Sequence, residues 1–144
     1  MPPNSLDFVS KAAALLEEHG NAQLQYITAE FEPFSSAQRP DLIFIPHAGV
    51  NCGRIFVTEC RVHPSRFELD PLLMEEHRNF VLEDMNGYHF FALATHAAVT
   101  AEMRAALAIR GVEVLDNVET PHALAEAVLA WSRAAETPPW SANA

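Results

Sequence analysis

The sequence predicts an α/β domain in which a central mixed sheet is flanked by helices. Three observations predict it. Short apolar runs of strand character alternate with segments of helical period along the second half of the chain. Most helical segments carry their own start or stop signals. The composition is globular: 144 residues, 49% hydrophobic and 19% charged. A chain of this length buries roughly 68–70% of its unfolded surface, enough for one real core. Residues 1–135 are expected to form a single domain, with 136–144 a loose tail.

Residues 6–19 (LDFVSKAAALLEEH) read as the first helix. Leu6, Val9, Ala13 and Leu16 share one face, Ser5 or Asn4 caps the start, and Gly20 is placed to end it. Residues 22–32 alternate and carry Tyr26, Ile27, Thr28 and Phe31, which is strand character. Pro33 to Pro40 is a turn region. Residues 41–46 (DLIFIP) are apolar on both faces after Asp41, as an interior strand is. The loop HAGVNCG leads to a strand over 54–62 (RIFVTECRV), and the two strands read as a hairpin with a long connection.

A second helix is expected over 71–85, with Pro71 in its first turn. A buried strand follows over 88–95, then a helix from Thr100 to Arg110 capped by Thr100 or Thr95 and ended by Gly111. Val112 to Leu115 is a short strand. The last helix runs from Thr120, its cap, to Arg133, with Pro121 at the first helical position. The first three strands form a meander, and the segment from 88 to 115 is a parallel βαβ unit.

Composition bounds the partners. The formal net charge is −10, from 9 Lys+Arg against 19 Asp+Glu. That balance opposes tight non-specific binding to DNA, although arginine, which outnumbers the single Lys11, suits bidentate phosphate contacts. No apolar run reaches the ~20 residues of a membrane span, and the start MPPNSLDF has no signal-peptide pattern. Cys52 and Cys60 form neither a zinc set nor a disulfide framework, so a cytoplasmic protein with reduced thiols is expected. With five glycines there is no GxGxxG, P-loop or GxSxG motif. The seven histidines show no HExxH spacing.

The charges that invite chemistry sit on two neighbouring strands. Asp41 opens one strand straight after Pro40; Glu59 lies within the next, and Arg61 follows two residues on, on the same face as Ile55 and Val57. A charge on an apolar wall is costly unless it is paired or binds metal. Two carboxylates on hairpin partners make a hard-oxygen site suited to Mg²⁺ or Mn²⁺. The bland alternative is a turn aspartate and a same-face Glu59–Arg61 ion pair.

Pro40-Asp41, a hairpin and then Glu59-Cys60-Arg61 resemble the signature of the PD-(D/E)XK, or restriction-endonuclease-like, nucleases. The core order of that family, α-β-β-β-α-β, is similar to the order read from residues 6 to 95. FALATH, a helix and GVEVLD resemble the tail of Mrr-type members. At the level of element order the resemblance covers roughly four fifths of the chain.

It implies that Asp41, Glu59 and the backbone carbonyl of Cys60 hold Mg²⁺ or Mn²⁺, that Asp41, Glu59 and Arg61 are the catalytic residues, and that DNA is the substrate. The family's lysine is replaced by Arg61, which stabilises charge but does not give up a proton near neutral pH. The family often adds an acid from the first helix, for which Asp7, Glu17 and Glu18 are candidates; Glu30 is another. His47 and His63 flank the hairpin, and Arg39, Arg54, Arg61 and Arg66 are candidates for a positive rim. A catalytically inactive relative, serving as a protein-interaction or scaffold module, explains both the missing lysine and the acidic balance. The apolar stripe over 123–131 reads as core packing or a homodimer face, with Trp131 and Trp140 candidates for such an interface.

Overall fold

A computed structural model describes residues 5–24, 42–61, 70–82 and 89–136. The elements follow in the order α1 (Ser5–Leu16), β1 (Gly20–Leu24), β2 (Leu42–Pro46), β3 (Ile55–Arg61), α2 (Pro71–Leu82), β4 (His89–Thr95), α3 (Ala101–Ile109), β5 (Val112–Leu115) and α4 (Pro121–Ala134). The five described strands form one mixed sheet in the order β1-β2-β3-β4-β5. β1 with β2 and β2 with β3 are antiparallel, which is the expected meander. β3 with β4 and β4 with β5 are parallel.

Local chemistry explains most boundaries. Asp70 Oδ1 accepts hydrogen bonds from the Leu72 and Leu73 amides, so this aspartate starts α2 with Pro71 behind it. Thr100 caps α3 through the Met103 amide, and Thr120 caps α4 through the Ala123 amide. Gly111 takes φ +81° and closes α3 by donating to the Ala108 carbonyl. Thr95, the other cap candidate for α3, is instead the last residue of β4.

One boundary differs from expectation. α1 ends at Leu16, and β1 begins at Gly20 rather than at residue 22. Gly20 therefore does not terminate the helix. It pairs with Pro46, and a Cβ there would lie 2.3 Å from the Ile45 carbonyl oxygen and 2.8 Å from the Phe44 ring. Close approach of two backbones is what requires glycine at this position. Residues 25–32 of the expected strand, and 83–88 around the end of the second helix, lie outside the described residues.

The two faces of the sheet carry separate cores. On one, α1 and α4 cover Leu42, Phe44, Phe56, Phe90, Ala92 and Ala94. Phe56 stacks on Phe90 at 4.6 Å and meets Trp131 edge-on at 4.9 Å. Trp131 is thus a core residue rather than an interface residue, and the stripe Leu124, Ala125, Val128 is core as well. Trp140 lies outside the described residues. On the other face Ile43, Val57, Phe91, Leu93, Val112 and Val114 pack against Met74 of α2 and Leu107 of α3. No described helix is long and apolar enough to cross a membrane.

Candidate functional site

The strand that carries Glu59 pairs with the one that follows Asp41. The register Leu42↔Thr58, Ile43↔Val57, Phe44↔Phe56 makes β2 and β3 hairpin partners, and Leu42 is the described residue next to Asp41. Asp41 itself lies outside the described residues. On the other side Glu59 pairs with Leu93 and Arg61 with Thr95. Strand alternation places Glu59 with Ile55 and Val57, on the face under α2 and α3. Glu59 is 0% exposed. The backbone of Arg61 closes the strand, and its side chain lies outside the described residues. Cys60 points to the opposite face and packs half-buried against the α1–α4 core.

β3, β4 and β5 are parallel, so their C-terminal ends lie along one edge of the sheet, where open α/β sheets bind ligands. Glu59 and Arg61 belong to that edge. The ring of Phe8 contacts His96, just past the end of β4, with centroids 5.4 Å apart. The N-terminal end of α1 therefore meets this edge, and Asp7 precedes Phe8 there. Glu17 and Glu18 follow the far end of α1, and Glu18 borders a cavity with His47 and Arg133. They, and His47, are remote from Glu59. Arg54 precedes β3, five residues before Glu59, or roughly 17 Å of strand. It does not form a rim around that carboxylate. Glu30, Arg39, His63 and Arg66 lie outside the described residues.

Two polar residues that the sequence patterns did not single out organise this end and its opposite. Asp116, directly after β5, accepts from the Val99 amide at 2.8 Å and from Arg104 Nη2 of α3 at 2.5 Å. Burial is the largest single influence on this carboxyl and pushes its pKa up, but the Val99 amide and the Arg104 guanidinium together outweigh it and hold it below the usual value. The pair clips the loop after β4 to the end of β5. An aspartate immediately beyond a predicted parallel strand was the available signal. At the hairpin end Asn51, 3% exposed, donates from Nδ2 to the Ser132 and Ala135 carbonyls and anchors the β2–β3 loop on the last turn of α4. Its position between two loop glycines was the only hint.

As a metal centre the described part supplies one hard carboxylate, Glu59. Among the described residues no group of three or more His, Cys, Asp or Glu side chains is disposed to hold a metal ion. A two-carboxylate site therefore depends on Asp41 joining Glu59. No family model matches the chain, and neither the curated proteins nor the solved structures compared with it contain a match.

Proposed function

We propose that this chain is a divergent metal-dependent nuclease domain that hydrolyses DNA phosphodiester bonds, with Asp41 and Glu59 as the ligands of Mg²⁺ or Mn²⁺. The observation that carries the reading is the antiparallel β2–β3 pairing, which runs the strand following Asp41 beside the strand bearing Glu59. Had β2 paired elsewhere, the two acids would belong to unrelated parts of the sheet. The order of the described elements from α1 to β4, α-β-β-β-α-β, also supports the reading, since it is compatible with the order that the resemblance to PD-(D/E)XK nucleases implies. In that reading the Cys60 carbonyl is a third ligand and Asp7 is the first-helix acid at the correct edge.

Asp41, Glu59 and the Cys60 carbonyl would hold the divalent ion, whose chemistry there would be a bound water of lowered pKa and compensation of charge on the scissile phosphate. Glu59 holds its carboxylate in a rigid central strand, so its position is set before substrate arrives. Arg61 clamps phosphate with a permanent charge and leaves the water's proton to another acceptor. The acidic balance makes the affinity for DNA depend on a local arginine patch or on a partner.

One observation favours a second reading, the non-catalytic relative that serves as an interaction module. Glu59 has no solvent exposure, and a metal that acts on DNA has to be reached by it. Calorimetric titration with Mg²⁺ and Mn²⁺, paired with plasmid nicking, separates the two. Under the nuclease reading, binding and nicking occur in the wild type and both vanish in Glu59→Gln and Asp41→Asn. A wild-type protein that neither binds metal nor nicks DNA sinks the nuclease reading and leaves the scaffold.

A further inference from the structure

The cavity bordered by Glu18 and Arg133 has a volume of about 450 Å³. That is the size of a small-molecule site rather than of a single trapped ion. Three separate elements build it. The turn after α1 supplies Glu18 and His19, the end of β2 supplies Pro46 and His47, and the last turns of α4 supply Leu129 and Arg133. The β1–β2 pairing extends one residue past Gly20↔Pro46, because the His47 amide donates to the His19 carbonyl at 3.1 Å. The two histidines are thus opposite neighbours, and both line the same cavity.

Arg133 stands where a cation ordinarily serves its own helix, by bonding the open carbonyls of the last turn. Here Asn51 takes that place, donating to the Ser132 and Ala135 carbonyls at 2.9 Å each. Among the described residues the Arg133 side chain has no ion pair or hydrogen bond, and Glu18, on the same cavity, has none either. Asn51 also fixes one wall, since the loop that it anchors contributes Ala48 and Gly49 to the lining.

We propose that this cavity binds the carboxylate of a small organic acid with an apolar body, and that Arg133 is its charge partner. The guanidinium fork matches the two carboxylate oxygens, and an imidazole N–H of His19 or His47 adds a donor whether or not the ring is charged. Leu129, Pro46 and Ala48 offer apolar surface to the body of the ligand. Glu18 adds a repulsion that grows with the charge of the ligand, so a singly charged carboxylate is favoured over a doubly charged phosphate. The cavity lies at the end of the β2–β3 hairpin opposite Glu59, and the inference does not rest on the nuclease reading.

The test is an NMR titration of the ¹⁵N-labelled full chain with benzoate, with phenyl phosphate and the neutral benzamide as comparisons. Benzoate is expected to shift the amides of His47, Gly49 and Arg133 saturably, with a Kd in the millimolar range, and the other two are expected to bind more weakly. Arg133→Gln should weaken benzoate binding by about tenfold, as for loss of a hydrogen-bonded charge. Glu18→Gln should tighten it by about twofold or more. Both side chains are exposed, so neither change disturbs the core. Phenyl phosphate or benzamide binding as tightly as benzoate would overturn the assignment of a carboxylate. Amides around the cavity that do not respond to benzoate, or an affinity indifferent to Arg133→Gln, would overturn the site itself.

Discussion

The two faces of the sheet are built on different principles. The α1–α4 face is closed by aromatic packing: Phe44, Phe56, Phe90 and Trp131 interlock, with ring contacts at 4.6 and 4.9 Å. The α2–α3 face has a smaller apolar cluster and carries the buried Glu59 on its central strand. Polar ties finish it: Arg110 bonds Glu75 between α3 and α2 at 3.0 Å, and Arg104 bonds Asp116 at the strand ends. Dispersion and hydrophobic burial hold the first face, and they tolerate neither loss nor addition of volume. The second face contains a fully buried carboxylate, and desolvating such a group opposes folding unless it is paired.

Three substitutions probe that contrast. Phe56→Ala empties the centre of the aromatic face and should cost about 3–5 kcal/mol by chemical denaturation. A cost no greater than that of Leu93→Ala on the other face would remove the distinction between them. Gly20→Ala adds one methyl group against the Ile45 carbonyl and the Phe44 ring, and should cost about 1–3 kcal/mol. A stability equal to wild type would show slack that the packing does not contain.

The third and smallest effect concerns the polar ties. Asp116 has a depressed folded pKa, so its contribution is fully present above the unfolded carboxylate value and is lost as pH falls through the folded one. Arg104 is 39% exposed, so the contribution is about 1 kcal/mol. Asp116→Asn should be less stable by that amount at neutral pH, and should lose less stability than wild type below the usual carboxylate range. Parallel stability–pH curves for the two proteins would show that the tie contributes nothing.

Much of the architecture was legible because it is written in local chemistry. Thr100, Thr120, Pro121 and Gly111 mark helix ends through their own backbone preferences. The alternation of β3 put Glu59 on the face of Ile55 and Val57 before any partner strand was known. The candidate site was legible only in part. Glu59 was named from its pattern, and the strand spacing already put Arg54 and His47 at the far end of the hairpin, but nothing in the pattern says that Glu59 is wholly buried. Distances along a strand are readable, whereas distances between elements depend on how the sheet is wound.

Residue type and period, acting over a few neighbours, determined by themselves the order of helices and strands, the hairpin that leads to Glu59 and the acidic balance of the chain. Only the tertiary structure decided that Gly20 serves a strand pair, that Trp131 belongs to the core, and that Arg104, Asp116 and Asn51 bond main-chain groups far away in sequence. Those roles rest on hydrogen bonds and contacts between groups as much as 84 residues apart. Such partners become neighbours only when burial of the two apolar faces has brought the elements together.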